Sequence, residues 1–246
     1  MALEQHFEAL VGRANVVRIS LPPDVFEHLE ELKSKQVVLG HFFYPAVRLV
    51  PGEPTVATVV REPVDRSISV WEYLQWQVKH PDHAQLASRG IRSVQEFAED
   101  DLLAGHVRDN QTRLLGVEYD LEAVTTAFET GEIDLEEAQR WAAEAERAPA
   151  DAAMLDRAKD RLRKMVVGVT DELPEFVQAL ERGALGRPDG PPLKRYNATP
   201  PATVALRESA YDDQIRSRLA ELNRFDVELY AFARELWESR RDAVTA

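Results

Sequence analysis

Apolar residues recur along this chain with two periods, and the switches between them divide it into strands and helices. Leu3, Phe7 and Leu10 share one helical face in "ALEQHFEAL". "NVVRISLP" reads as a short strand, and "PPDVFEHLEELKSK" as a helix with prolines at its first positions. "QVVLGHFFY" is a compact apolar run, read as a buried strand that ends near Gly40-His41. "TVATVV" is the clearest strand, short and β-branched. After Pro63, the residues Val64, Ile68, Trp71, Leu74 and Val78 fall on one face of an amphipathic helix.

From Ser93 to about Arg147 the chain is polar and helix-favouring, with "DLEEAQRWAAEAERA" its strongest helix and "PADAAMLDRAKDRLRK" the next. "MVVGVTDEL" is the last strand, and "PEFVQALERGALG" follows it as a helix. Proline and glycine crowd "GRPDGPPLKRYNATPP", which reads as a loop. The tail "YDDQIRSRLAELNRFDVELYAFARELW" is one or two amphipathic helices. Strands separated by helices predict an α/β protein with a largely parallel sheet. The prediction is a single domain over residues 1–246, with residues 93–165 largely helical.

Composition narrows the function classes. With 30 Lys and Arg against 43 Asp and Glu, the net charge of −13 argues against broad nucleic-acid or anionic-membrane binding. No apolar run reaches the ~20 residues that span a bilayer. There is no cysteine, hence no disulfide framework, thiol nucleophile or Cys-based zinc site. A cytoplasmic protein is the expectation. "HPDH" (His80, His83) brings two imidazoles without the acidic or thiol ligands of a zinc spacing, so no metal is expected. The basic face of "RAKDRLRK" reads as solvated.

In open parallel sheets ligands bind outside the carboxyl ends of the strands. His41 and Arg61 both stand at such ends, and Ser69 lies two turns into the helix after Arg61. An anion held between strand end and helix would use both Arg61 and Ser69. Alternatively, Arg61 pairs with Glu62 or Asp65 on the surface and Ser69 is incidental.

"TVVREPVDRSISVWEYL" resembles the 3′-phosphate-binding segment of carbohydrate-type sulfotransferases, in which strand, Arg, Pro and a helical Ser recur at this spacing. In the same order, "VVLGHFFYP" looks like the family's Gly-His strand end, and "RDNQTRLLG" is similar to its Asn-Thr-Arg helix. "VVGVTDELPEFVQAL" resembles its late strand and helix, and "YNATPP" with "ELNRFDVELYAFA" its closing loop and terminal helix. The resemblance runs from Lys35 to Leu236. It implies a P-loop NTPase-like three-layer α/β fold and a donor, 3′-phosphoadenosine 5′-phosphosulfate (PAPS), whose sulfuryl group passes to the hydroxyl of a carbohydrate or small-molecule acceptor. By the same resemblance Arg61 and Ser69 hold the 3′-phosphate, and the helix starting at Pro63 adds its positive end. His41 is the general base, or else a core histidine bonded to a carbonyl. Lys194 and Arg195 lie in the loop that folds over the nucleotide, or are solvated charges. Arg108, Asn110 and Arg113 contact the acceptor or brace a helix.

One family segment has no counterpart. The strand running into a Gly-rich loop with a phosphate-binding lysine is not found, and "MALEQHFEAL" looks like the helix that follows such a loop. Either that strand and loop are encoded upstream of Met1, or the chain is a degenerate relative that binds nucleotide or a partner without catalysis. A P-loop kinase is disfavoured by the lack of a Walker lysine.

Overall fold

The computed structural model describes residues 2–187 and 211–245. Helix α1 (Ala2–Val11) leads through a short turn into strand β1 (Val16–Ile19). The segment expected as one helix from Pro22 divides into a 3-10 turn, Pro22–His28, and α2 (Leu29–Ser34). Its two leading prolines lack N–H donors and fix φ, which disfavours regular α-helical hydrogen bonding at that point. Strand β2 (Val37–Gly40) follows, then β3 (Ala57–Val60) and the long helix α3 (Pro63–Trp76).

A helical section comes next: α4 (Pro81–Ser88), α5 (Val94–Glu99), α6 (Asn110–Gly116), α7 (Leu121–Glu129), α8 (Leu135–Arg147) and α9 (Ala152–Arg163). Strand β4 (Val166–Val169), α10 (Leu173–Gly183), α11 (Asp213–Leu222) and α12 (Arg224–Thr245) complete the described order. The chain is an α/β protein in which every described strand pairing is parallel.

The strands form two separate pairs rather than one sheet. β1 runs beside β2 in the register Val16↔Val37 to Ile19↔Gly40, and β3 beside β4 from Ala57↔Val166 to Val60↔Val169. Helix α1 touches both halves: its Phe7 and Leu10 are buried, it packs on β1, and Leu3 packs against the cluster of Val169, Phe176, Val177 and Trp237. Among the described residues nothing pairs with the outer edge of β2 or of β3, so each keeps a row of unpaired backbone groups.

Gly40 is demanded by this arrangement. Its φ is +145°, and a Cβ there would lie 1.8 Å from the Ile19 carbonyl oxygen. The glycine of the Gly-His strand end is thus explained by strand pairing alone. On α3, Val64, Ile68, Trp71 and Leu74 are buried as the periodicity predicts, but Val78 is 71% exposed because the helix has already ended at Trp76.

Helix α6 sits at the centre, and six of its seven residues are buried. Gly116 lets it approach α9, since a Cβ would meet the Met154 carbonyl oxygen at 2.1 Å. Arg161 of α9, expected to be solvated, instead donates to the carbonyls of Leu115 and Val117 at the buried C-terminal end of α6, satisfying acceptors that the helix leaves open.

The start of α6 faces the start of α12. The Asp226 carboxylate accepts from the backbone N–H groups of Gln111 (3.1 Å) and Thr112 (2.7 Å). In return the Asp109 carboxylate accepts from those of Phe225 (2.9 Å) and Asp226 (3.0 Å). Asn223 breaks the tail into α11 and α12, accepts from Asp109 N–H, and donates to Ser67 Oγ and the Leu219 carbonyl. Asp109 reaches this position in the left-handed region, φ 44°, which Asn and Asp tolerate better than most residues.

Asp226→Ala should therefore cost about 3 kcal/mol of stability in urea unfolding, since it strands two buried N–H groups. Burial pushes the Asp109 carboxyl up to about 6. Folding thus favours its protonated form, and the stability this contributes is full below the ordinary pKa, about 4, and lost as pH rises through about 6. Asp109→Asn keeps the acceptor and removes the charge. Its stability relative to the wild type should rise between pH 4 and pH 7; a pH-independent difference would contradict the account.

Candidate functional site at the strand ends

Arg61 follows β3 directly and is half-buried. Its backbone is clasped by one side chain: Gln111 Oε1 accepts from the Arg61 N–H at 2.8 Å, and Gln111 Nε2 donates to the Arg61 carbonyl at 2.9 Å. The amide gives a strand end the two hydrogen bonds that a neighbouring strand would otherwise supply. Because Gln111 belongs to α6, the position of Arg61 is tied to the reciprocal caps.

Helix α3 begins with its own carboxylate in place. Glu62 accepts from Asp65 N–H at 2.6 Å as the N-cap. The helix end expected to favour an external anion is therefore already partly satisfied by Glu62. One turn on, Arg66 donates to the His106 carbonyl at 2.8 Å and to Asn110 Oδ1. Desolvation lowers its pKa to about 10, and the nearby Arg113 and Arg61 charges act in the same direction. Ser69 lies half-buried farther along α3.

His41 stands exposed just past β2, with its backbone N–H bonded to the Ile19 carbonyl at 3.1 Å. Desolvation by the groups around the imidazole lowers its pKa, and the charges of Arg66 and Arg18 lower it further. Arg18 projects from β1 toward solvent and meets Glu4 of α1 at 3.7 Å. A lowered pKa keeps the imidazole neutral at pH 7, the form that accepts a proton.

The other sequence candidates divide. Arg108 donates to the Ala98 carbonyl. Asn110 is 4% exposed and bonds Arg66 and the Gly105 carbonyl. Arg113 is 3% exposed and donates to the carbonyls of Glu146 and Gly105. Asn110 and Arg113 thus brace the core, while Arg108 is partly exposed. Lys194 and Arg195 lie outside the described residues. His83 Nδ1 bonds the Leu74 carbonyl, while His80 and His106 lie 3.5 Å and 2.9 Å from Asp82. Among the described residues no group of three or more His, Cys, Asp or Glu side chains is arranged to hold a metal ion.

Arg66, Arg18 and Gln111 were not singled out by sequence. Arg66 had a signal, standing one turn into the helix that begins behind a strand end. Gln111 had none, since its target is backbone fifty residues away. Comparison with protein-family models, curated proteins and solved structures gave no match. Arg18→Gln removes an exposed positive charge and should raise the His41 pKa in an NMR titration. An unmoved pKa would mean that Arg18 does not act on the imidazole.

Proposed function

We propose that the chain is a sulfotransferase-type protein that binds PAPS at the strand ends and serves transfer to an acceptor hydroxyl. One observation carries this reading: Arg61 follows β3 with its backbone clasped by the Gln111 amide, and His41 follows β2, so each stands at the carboxyl end of a parallel strand. Such an edge is where α/β sheets take their ligands. An arginine whose backbone is already immobilised loses little entropy in gripping a phosphate.

The residues present suit the 3′-phosphate end of the donor: Arg61 offers a forked charged donor, and Ser69 a hydroxyl from α3. When bound, the donor supplies an activated sulfuryl group. Neutral His41 takes the proton of the acceptor hydroxyl as that oxygen bonds to sulfur and the bond from sulfur to the 5′-phosphate oxygen breaks. Arg66 and Arg18 add positive charge beside the imidazole, which favours the anionic state of a transferring group. A P-loop-type sheet is part of this reading, and the parallel pairing of β1 with β2 and of β3 with β4 is compatible with it.

A second reading has its own support. Glu62 occupies the start of α3, and no Gly-rich loop with a phosphate-binding lysine is present in residues 1–246. Both fit a non-enzymatic nucleotide-binding or interaction protein.

Arg61→Ala should weaken adenosine 3′,5′-bisphosphate (PAP) by about 2–3 kcal/mol in calorimetry while changing AMP far less. Equal losses would remove the 3′-phosphate assignment. His41→Gln should lower sulfuryl transfer about 10²–10⁴-fold with PAP affinity unchanged. PAP binding without any transfer by the wild type would favour the second reading.

A further inference from the structure

Three consecutive residues at the end of β3 are each tied down by a hydrogen bond outside the strand ladder. The Val60 carbonyl accepts from the hydroxyl of Thr170, the residue after β4, at 3.3 Å. Glu62 is fixed as the N-cap of α3 by Asp65 N–H. Between them, both backbone groups of Arg61 are taken by the Gln111 amide, at 2.8 Å and 2.9 Å. The direction of these bonds shows what Gln111 adds. Pairing with β4 ends at Val60↔Val169. The carbonyls of Val56 and Val60 turn toward β4, where Val166 N–H meets the first at 2.9 Å. Successive residues of an extended chain turn their peptide groups to opposite edges, so those of Arg61 face away from β4. Gln111 meets them on that side. It is 9% exposed, and its own N–H is held by buried Asp226 at 3.1 Å, so the clasp is itself anchored.

We infer that Gln111 is a positioning residue that makes Arg61 selective for a 3′-phosphate over a 2′-phosphate on the same ribose. The inference rests on the nucleotide-binding reading given above and adds the residue that sets its specificity. The two phosphate isomers carry the same charge and the same base, and differ only in where the phosphate sits. Charge alone cannot separate them. A guanidinium on a backbone that cannot turn can, because its planar fork meets one position and misses the other. Residue 61 pivots about φ and ψ, and a small rotation there is carried to the far end of a long side chain. Clamping the N–H and the carbonyl together removes that rotation before a ligand arrives. An amide suits the task, since it sets a donor and an acceptor side by side.

The test compares PAP with adenosine 2′,5′-bisphosphate and AMP by calorimetry on the full chain. The wild type should prefer PAP to its isomer by roughly ten-fold or more. Gln111→Met keeps the volume and removes the amide. It should weaken PAP roughly ten-fold and bring the two isomers within about two-fold of each other, with AMP unchanged. Gln111→Glu retains an acceptor for the Arg61 N–H and should fall between. In an Arg61→Ala background Gln111→Met should cost nothing more, since a positioning residue acts only through the residue it places. A general loss of stability would weaken both isomers alike. An isomer ratio unchanged in the Gln111 variants, or losses that add to those of Arg61→Ala, would therefore overturn the inference and leave the nucleotide reading intact. If Gln111→Met does not fold, Gln111→Glu decides by the same ratio. Equal binding of the two isomers by the wild type would overturn the inference as well. No PAP binding by the wild type would overturn both it and the nucleotide reading.

Discussion

Two helices that begin face to face, each closed by an aspartate from the other's side, hold this protein's centre together. A helix start leaves N–H groups without partners, and in a buried place water cannot supply them. Asp226, fully buried, serves α6, and Asp109 serves α12. Both carboxyls are pushed above the ordinary range by desolvation, although the N–H groups pull the other way. The arrangement therefore trades some charge burial for the satisfaction of four backbone donors. Neither aspartate can be removed without exposing the helix that it closes.

From that junction the site is built outward in short rigid steps. Helix α6, held by Asp226, carries Gln111 to the backbone of Arg61 and Asn110 to the guanidinium of Arg66. Asn223 reaches Ser67 from the other side, so α3 is fixed through both of its neighbours. The residues of the "DNQTR" segment thus act on the site by positioning others.

Charge places the same site under two opposed demands. The chain is acidic overall, at −13, yet His41 and Arg61 follow the ends of parallel strands, and the charges of Arg66 and Arg18 act on the imidazole. A local basic group within an acidic surface draws a small anion while repelling extended polyanions. Glu62 tempers it by closing the start of α3 with its own carboxylate. Helix α1 packs on β1 and, through Leu3, against the cluster that holds Val169 of β4.

The sequence by itself determined the local elements, because their causes are local. β-branched runs set β3 and β4, helical periodicity set α3 and α10, and the strand ends fell just before His41 and Arg61. It also predicted the helical content between Ser93 and Arg147. Tertiary structure alone decided the division of the strands into two pairs, the end of α3 at Trp76 that leaves Val78 exposed, and the roles of Asn110 and Arg113. Those outcomes turn on hydrogen bonds between residues far apart in the chain, such as Asp109 with Phe225 and Gln111 with Arg61. A buried polar side chain and a ligand-binding one look alike in sequence, since both are polar residues on an otherwise apolar segment. Only the position of the backbone groups that must be satisfied tells them apart.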